Sequence, residues 1–485
     1  MIDLRIKKES RLRTAKRCKE KGIIIPTLKE QKNPALVKEE IKNELKNIGL
    51  WDVHPRNLFR ITWKNEPVKK GGLFDGVNYI EIPSSLSNVN ARIIGIVGKW
   101  FPTGAHKVGA TFGCLVPRLV TGQFDPTIHK AVWPSTGNYC RGGAYTSTLL
   151  NCKSIAILPE GMSKERFEFL KKLSSEIIKT PGSESNVKEI FDKCNEMRKK
   201  RKDIIIFNQF DEFGNHLWHY SVTGNSIMEL YEKIKGENGR IFGIMASSGS
   251  SGTLGCGDFL KEKYPWIKIA VGEALQCPTL ILNGFGEHRI EGIGDKHIPW
   301  IHNVKNTDIV LGIDDEDTIR ILRLFNEEKG KEYLEEMGVP LGIVESLELL
   351  GISSIGNLIG SIKIAKYFNL KKNDIIFTVF TDSMELYRSR INELREERGI
   401  YKKEDAIKDF ELLKNIKTDW TIELDYYGRK RIHNLKYYTW VEQQGKNVKE
   451  LIRQWEDDSY WDEIHKLEDK IDELIVEFNE IVEKV

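Results

Sequence analysis

Between residues 90 and 385 the sequence alternates between short runs of β-branched and apolar residues and longer amphipathic segments, with glycine-rich turns between them. This alternation is typical of strands that alternate with helices, and therefore of a mostly parallel sheet covered by helices. Several apolar runs end at a cluster of small or polar residues, at the edge where open α/β sheets bind their ligands. The runs predicted as strands are 91–97, 129–133, 154–158, 204–207, 241–246, 267–271 and 374–380.

The two ends of the chain differ from this central part. With 485 residues, the chain is long enough for two or three domains of ordinary size. Residues 1–60 predict a charged helix followed by irregular chain, and residues 391–485 predict a charged, helical extension. Its heptad-like apolar positions are Leu467, Ile471, Leu474 and Ile475. We therefore predict an N-terminal extension (1–60), an α/β core of two interleaved subdomains (61–390) and a helical C-terminal extension (391–485).

Charge excludes several classes of function. The 74 lysine and arginine residues nearly balance 71 aspartate and glutamate residues, so the chain lacks the strong positive field of a nucleic-acid-binding protein. Residues 1–50 carry 14 basic and 7 acidic side chains, as in some nucleic-acid or membrane-binding arms and transit peptides. Because acidic residues interrupt this run and no apolar segment follows it, we interpret it as an ordinary charged helix. No run approaches the roughly 20 apolar residues of a membrane-spanning helix, so we expect a cytoplasmic protein that binds neither membrane nor nucleic acid.

The cysteine and histidine residues predict neither a disulfide framework nor a metal site. The seven cysteines lack a Cys-x-x-Cys pair and a histidine partner at zinc spacing. We expect reduced, mostly buried thiols. His288, His297 and His302 have no carboxylate or thiol at ligand spacing, so we expect them in loops and in the core.

One lysine lies in a segment suited to reactive chemistry, WFPTGAHKVGATFG at 100–113. Small residues flank Lys107 ahead of a run able to form a helix, which places this lysine at a helix start. The positive end of the helix dipole, together with partial burial, favours the neutral, nucleophilic form of the amine. An ordinary solvated lysine is the alternative that this segment alone leaves open.

Two further loops follow predicted strands and precede predicted helices. In WPSTGNYCRGGAY at 133–145, the backbone N–H groups and hydroxyls of residues 135–138 are suited to bind a carboxylate, although such residues also form ordinary turns and helix caps. In MASSGSSGTLGCG at 245–257, glycines and hydroxyls ahead of a predicted helix at 258–264 suit a phosphate. Because this loop lacks the residue order of a nucleotide P-loop or a dinucleotide site, we expect a phosphate smaller than that of a nucleotide.

Taken in order, these segments resemble those of the pyridoxal-phosphate enzymes of the tryptophan synthase β-subunit type, also called fold type II. Within that group the sequence is most similar to cysteine synthase and cystathionine β-synthase. GFGEHRIEGIGDKHIP at 284–299 and GISSIGN at 351–357 carry this closer similarity. The resemblance covers residues 65–390. It implies two three-layer αβα domains with pyridoxal 5'-phosphate between them, and a homodimer.

The resemblance also implies roles for individual residues. Lys107 is expected to form the Schiff base with the cofactor and to move the Cα proton of the substrate, and His106 to neighbour the cofactor phosphate. Asn138 is expected to bond the ring oxygen of the cofactor, and either Thr381 or Ser383 its pyridine nitrogen. The substrate is expected at Ser135, Thr136, Gly137, Asn138 and Gly292, and the phosphate at Gly249, Ser250, Ser251, Gly252 and Thr253.

The activity that the resemblance implies is β-elimination or β-replacement on a small amino acid such as serine, cysteine or O-acetylserine. The reaction would pass through an enzyme-bound aminoacrylate, with a thiol or sulfide as a candidate second substrate. Two alternatives remain open: a deaminating ammonia-lyase or dehydratase acting on threonine, serine or a diamino acid, and a regulatory protein of the same fold without turnover. Tyr139 and Cys140 replace small residues of the cysteine synthase loop, which favours the deaminating alternative.

Overall fold

The strands of the computed structural model form two sheets. The model describes residues 2–67, 72–135, 137–174, 176–182, 186–294 and 296–485. The strands are β1 (Tyr79–Ile82), β2 (Arg92–Val97), β3 (Lys130–Pro134), β4 (Lys153–Pro159), β5 (Glu176–Thr180), β6 (Ile204–Ile206), β7 (Arg240–Ser247), β8 (Lys268–Ala274), β9 (Ile309–Ile313), β10 (Asp374–Phe380) and β11 (Thr421–Glu423). All seven strands predicted from the sequence are present, within a few residues of their predicted bounds.

The larger sheet has the strand order β1-β2-β10-β7-β8-β9-β11, and the smaller sheet has the order β5-β4-β3-β6. In the larger sheet, the five central strands are parallel to one another: β2, β10, β7, β8 and β9. All four strands of the smaller sheet are also parallel. Only the edge strands β1 and β11 pair in antiparallel fashion within the described sheets. The predicted α/β fold class, with mostly parallel sheets, is confirmed.

Both sheets are covered on two faces. In the smaller sheet, Ala131 and Trp133 of β3 belong to one apolar cluster, whereas Val132 between them packs with Ile190 and Met197 in another. Successive side chains of the larger sheet divide in the same way between two clusters. Because side chains alternate across a strand, this division places a helical layer on each face. Each sheet is therefore the centre of a three-layer αβα unit.

The helices cover these sheets and both ends of the chain. They are α1 (Lys8–Glu20), α2 (Leu28–Lys32), α3 (Glu39–Leu45), α4 (Ser84–Ser87), α5 (Lys107–Val120), α6 (Asn138–Leu149), α7 (Lys164–Leu173), α8 (Val187–Lys200), α9 (Phe213–Trp218), α10 (Gly224–Ile234), α11 (Gly255–Lys263), α12 (Thr279–Leu282), α13 (Asp315–Asn326), α14 (Glu328–Glu336), α15 (Leu341–Ser346), α16 (Ile352–Tyr367), α17 (Arg388–Arg398), α18 (Lys403–Lys414), α19 (Tyr426–Lys436), α20 (Val448–Glu456), α21 (Ser459–His465) and α22 (Leu467–Lys484). No helix of the described residues is long and apolar enough to cross a bilayer.

The two terminal regions pack on the body of the protein and on each other. Helix α1 contacts α22 and α5, and the Arg11 side chain donates to the Leu474 carbonyl and the Glu477 carboxylate of α22. Basic side chains of the N-terminal run thus bind acidic groups of the same chain. The C-terminal region is mostly helical as predicted, but β11 joins the edge of the larger sheet beside β9. Helix α17 runs across residue 390, so the domain division at this point stays a prediction.

Candidate active site

Lys107 begins helix α5, as the sequence predicts. Its amine donates a hydrogen bond to the Ser250 hydroxyl at 3.1 Å, which joins the first predicted loop to the third. Helix α6 comes so close to this point that a Cβ on Gly142 would lie 3.1 Å from the Lys107 carbonyl carbon. Burial lowers the pKa of Lys107 from its usual range to about 8. The structure therefore supplies an amine with a larger neutral fraction near neutral pH than an ordinary lysine has.

A chain of hydrogen bonds connects the predicted substrate loop to the predicted phosphate loop. The Asn215 amide donates to the Ser250 hydroxyl at 2.9 Å and to the Gln209 carbonyl at 3.0 Å. The Gln209 side chain in turn donates to the Ser135 hydroxyl at 3.3 Å. All four side chains are buried. Gln209 and Asn215 lie in the segment after β6, far from either motif in sequence, and were not predicted.

The predicted phosphate loop follows β7 and leads into α11. Ser251 adopts a left-handed conformation with a φ of 61°, and a Cβ on Gly252 would lie 2.0 Å from the Asn215 amide oxygen. Only glycine fits at position 252 without a shift of that amide. The Ser248 and Ser251 hydroxyls, 2.8 Å apart, bond to each other. The result is a tight, uncharged turn at a helix start, which is suited to bind an anion through backbone N–H groups.

Asn138 is held by a carboxylate that the sequence analysis missed. Its amide donates to Asp382 Oδ2 at 2.5 Å, and the Tyr387 hydroxyl donates to the same oxygen at 2.7 Å. Asp382 is fully buried, and burial raises the pKa of its carboxyl. The residue lies between Thr381 and Ser383, the two candidates for the pyridine nitrogen. A polar residue after a predicted strand was the available signal.

Three residues with hydroxyl groups are candidates for binding the pyridine nitrogen: Thr381, Ser383 and Ser353. The Thr381 carbonyl accepts the backbone N–H of His106, which places Thr381 beside the lysine segment. The Ser383 hydroxyl is buried and has no hydrogen-bond partner among the described residues. The same is true of Ser353, at the start of α16 in the GISSIGN segment, to which the sequence analysis gave no role. Thr381 and Ser383 stay predictions, and Ser353 joins them as a third candidate.

Gly292 lies beside both the phosphate loop and Ser353. It has a φ of 98°, and a Cβ there would lie 3.4 Å from the Ser353 hydroxyl. Its carbonyl lies 3.1 Å from the position of a Cβ on Gly249. The structure thus brings Gly292 to the candidate site, and its predicted contact with substrate stays a prediction. Of the other predicted substrate residues, Thr136 lies outside the described residues.

The neighbourhood of the substrate loop is strongly charged. A Cβ on Gly137 would lie 2.4 Å from the guanidinium carbon of Arg166, so this buried arginine packs directly against the loop. Arg166 pairs with Glu291 at 2.5 Å and donates to the Tyr387 hydroxyl at 3.1 Å. Glu291 also pairs with Arg390. A second buried arginine, Arg141, lies one helical turn after Asn138.

The two bulky residues of the substrate loop do not crowd it. The Tyr139 ring packs on Trp133 in the core, and its hydroxyl contacts Cys114 Sγ at 3.5 Å. The Cys140 thiol is buried and donates to the Gly137 carbonyl. The core beneath α6 therefore accommodates both side chains.

His106 is buried between aromatic rings. It stacks on Trp63 and meets His219 edge to face, with ring centroids 5.5 and 4.9 Å away. Burial holds its pKa well below the usual range, so the ring is neutral. Its Nδ1 has no hydrogen-bond partner among the described residues, which leaves it available for the predicted phosphate.

A cluster of His216, Asp258 and His465 has the composition of a metal site. The two histidine Nε2 atoms lie 3.1 Å apart and the ring centroids 5.3 Å apart, so the nitrogens point at each other. Zinc–nitrogen bonds of about 2.0–2.1 Å placed head-on would need roughly 4 Å between them. The geometry favours an N–H···N hydrogen bond over a bound ion.

The residues around Lys107 fit pyridoxal phosphate. The tight turn at 249–253 suits a phosphate, and the amine lies within hydrogen-bonding distance of that turn. The Asn138 amide oxygen and the Ser353 and Ser383 hydroxyls are buried without hydrogen-bond partners among the described residues. Buried polar atoms without partners are costly in a finished core, but they are expected in a site that binds a polar group.

Comparison with known proteins agrees with this geometry. A family model described as pyridoxal-phosphate dependent enzyme matches residues 102–332. A probable cysteine synthase of Bacillus subtilis is 31% identical over 231 residues, which cover 47% of this chain and 72% of that protein. Cysteine synthase B of Campylobacter jejuni is 30% identical, covering 55% of this chain and 79% of the relative.

Solved structures give the same result. A hydrogen sulfide-producing enzyme from Fusobacterium nucleatum has a TM-score of 0.53 and 26% sequence identity, covering 66% of this chain and 88% of its own. The lysine, the three loops, the αβα architecture and these relatives agree with one another. The chain belongs to the fold type II pyridoxal-phosphate dependent enzymes and is similar to cysteine synthases and cystathionine β-synthases.

Proposed function

We propose that this enzyme catalyses β-elimination or β-replacement on a small, serine-type amino acid, with Lys107 as its catalytic residue. The observation that carries the proposal is the hydrogen bond between the Lys107 amine and Ser250, which joins a lysine of lowered pKa to the loop suited to a phosphate. Bound pyridoxal phosphate supplies the electron sink that stabilises negative charge at the substrate Cα.

The residues of the chain divide the remaining work. Lys107, with its pKa near 8, accepts the Cα proton as a general base. The backbone and hydroxyls of residues 135–138 bind the substrate carboxylate. Asp382 and Tyr387 act as positioning residues, because they fix the Asn138 amide. Residues 249–253 bind the cofactor phosphate, and the buried aromatic rings around His106 exclude water from one side of the site.

The relatives favour serine-type substrates. Three of the similar structures are named as hydrogen sulfide-producing enzymes and one as an O-acetylserine dependent cystathionine β-synthase. We therefore propose a thiol or sulfide as the second substrate, and a homodimer whose catalytic core spans residues 61–390. The deaminating alternative loses its main support, because Tyr139 and Cys140 pack in the core.

The test is a panel of serine, cysteine, threonine, O-acetylserine and a diamino acid. Each is incubated with the cofactor-loaded enzyme, with and without a thiol, and products are separated by mass. We expect a thioether from serine or O-acetylserine in the presence of the thiol, and release of hydrogen sulfide from cysteine. Keto acid and ammonia formed equally well without thiol from threonine or the diamino acid would support the deaminating lyase. No product from any of them would contradict both.

A further inference from the structure

Arg141 is a buried cation without an anionic partner. It is only 5% exposed, and no carboxylate of the described residues lies within ion-pair distance of its guanidinium. Its Nη2 donates to the Thr103 carbonyl at 3.1 Å, while Nε and Nη1 have no hydrogen-bond partner in the described part of the chain. The guanidinium also lies over the Phe169 ring at 4.4 Å. A buried charge left in this state is costly unless an anion reaches it.

The position of Arg141 ties it to the substrate site. It follows Asn138 by three residues on α6, so the two side chains lie on the same face of that helix. Thr103, which it binds, belongs to the loop that leads into Lys107, and Ala105 of that loop pairs with Asp382. The unpaired donors therefore lie among the elements that hold Lys107, Asn138 and the end of β10.

The neighbouring Arg166, unlike Arg141, has an anionic partner. Arg166 is buried as well, but its guanidinium donates hydrogen bonds to the Glu291 carboxylate and the Tyr387 hydroxyl. Arg141 feels the charge of Asp382 only at longer range, and burial together with the nearby Arg166 lowers its pKa to about 10. It nevertheless stays protonated at neutral pH, because its pKa lies well above that range.

We propose that Arg141 determines specificity by binding a second anionic group of the amino-acid substrate, a carboxylate or phosphate carried on its side chain. This inference rests on the proposed function and names the substrate class for the same site. The guanidinium has N–H donors without partners on Nε and on Nη1, which lie on the two edges that flank Nη2. An anionic oxygen at either edge would receive a charge-assisted hydrogen bond. The α-carboxylate is already provided for by residues 135–138.

Matched pairs of amino acids test the proposal. L-aspartate against L-asparagine, and L-glutamate against L-glutamine, differ in charge and hardly in shape. Binding to the cofactor-loaded enzyme is measured by calorimetry, and kcat/KM is compared for O-phospho-L-serine and O-acetyl-L-serine. We expect the anionic member of each pair to bind about ten to a hundred times more tightly. Arg141→Met should bring this ratio close to one and leave the affinity for the neutral member unchanged, and Arg141→Lys should retain part of it.

Several outcomes would overturn the proposal. An equal loss of affinity for both members in Arg141→Met would show that the arginine binds the α-carboxylate. An unchanged ratio in both variants would leave Arg141 a structural role only. A charge preference that appears only for the thiol, thioglycolate over 2-mercaptoethanol, would move the anion to the second substrate.

Controls separate these results from misfolding and from failure of the proposed function. The exposed Arg198→Met on α8 is a matched control that should leave the ratio unchanged. Thermal unfolding and the absorbance of the bound cofactor verify that each variant folds. An enzyme that binds no amino acid at all would contradict the proposed function, whereas equal binding of charged and neutral members would contradict only the role of Arg141.

Discussion

The loop at 249–253 and the described residues of the loop after β3, Ser135, Gly137 and Asn138, are built differently. The first, at the end of β7, is an uncharged turn whose hydroxyls bond to Lys107, to Asn215 and to each other. The second, at the end of β3, lies against the buried Arg166 and Asp382. Backbone shape can hold a phosphate that never changes, whereas buried charges discriminate between substrates. In the proposed function, the loop after β7 binds the cofactor and the loop after β3 selects the substrate.

The largest effect is expected at Lys107, whose amine donates to Ser250 of the loop at 249–253. Lys107→Ala removes the proposed base and the covalent attachment of the cofactor, so kcat should fall by about 10³-fold or more. Turnover of the best substrate and the absorbance of the bound cofactor are the measurements. Lys200→Ala, an exposed lysine on α8, should behave as wild type. Undiminished activity of Lys107→Ala would remove the site from this position.

The shape of the loop at 249–253 can be disrupted by a substitution that leaves the charge of the site unchanged. Gly252→Ala would place a methyl group 2.0 Å from the Asn215 amide oxygen, and overpacking of this kind costs about 1–3 kcal/mol. We expect cofactor affinity to fall roughly tenfold to a hundredfold, as measured by cofactor titration. Gly342→Ala, where a Cβ meets nothing within 4 Å, is the matched control. Normal cofactor affinity in Gly252→Ala would mean that the phosphate lies elsewhere.

The charged loop can be tested through Asp382. Asp382→Ala leaves the Asn138 amide and the Tyr387 hydroxyl without their acceptor, at a cost of about 1–3 kcal/mol. We expect kcat to fall by roughly tenfold with cofactor binding retained. Because burial raises the pKa of Asp382, the neutral Asp382→Asn should lose less. If cofactor binding fell as much as in Gly252→Ala, the proposed division of labour between the loops would be wrong.

The smallest effect is expected far from both loops, at His216. Its pKa is held well below 6.5 by burial, so the unfolded chain binds a proton that the folded chain does not. The free energy of unfolding should therefore fall as the pH drops below 6.5, by up to about 1.4 kcal/mol per pH unit for this group. Denaturant titrations between pH 7 and 5 should show a shallower pH dependence in His216→Gln. An unaltered slope would contradict this, and the exposed His54→Gln is the control.

The sequence predicted what depends on local pattern. Strand ends followed by small residues located the three loops and the lysine, because hydrophobic runs and glycine clusters are local signals. Four strands were missed: β1, β5, β9 and β11. Strands β1 and β11 are short and lie at the edges of the larger sheet, and β5 is partly exposed, whereas the buried apolar run of β9 was a signal that the prediction did not use. The docking of the chain ends could not be predicted either, because Arg11 and Glu477 give no mutual signal.

The long-range contacts that complete the site could not be predicted either, because they leave no local signal in the sequence. Asn138 and Asp382 are 244 residues apart in sequence, and their contact exists only once the two sheets are assembled. The sequence did not predict a role for Arg141, because an arginine inside a helix is normally solvated. Only the structure shows that its guanidinium is buried without an anion.

The docking of α1 and α22 onto α5 has a mechanical consequence. Helix α5 starts at Lys107, so the terminal helices α1 and α22 both pack on the helix that carries the proposed catalytic residue. Any rocking of one sheet against the other that displaced α5 would have to drag these terminal helices along. A macromolecule bound to either terminal helix could therefore change the position of Lys107 without contacting the candidate active site.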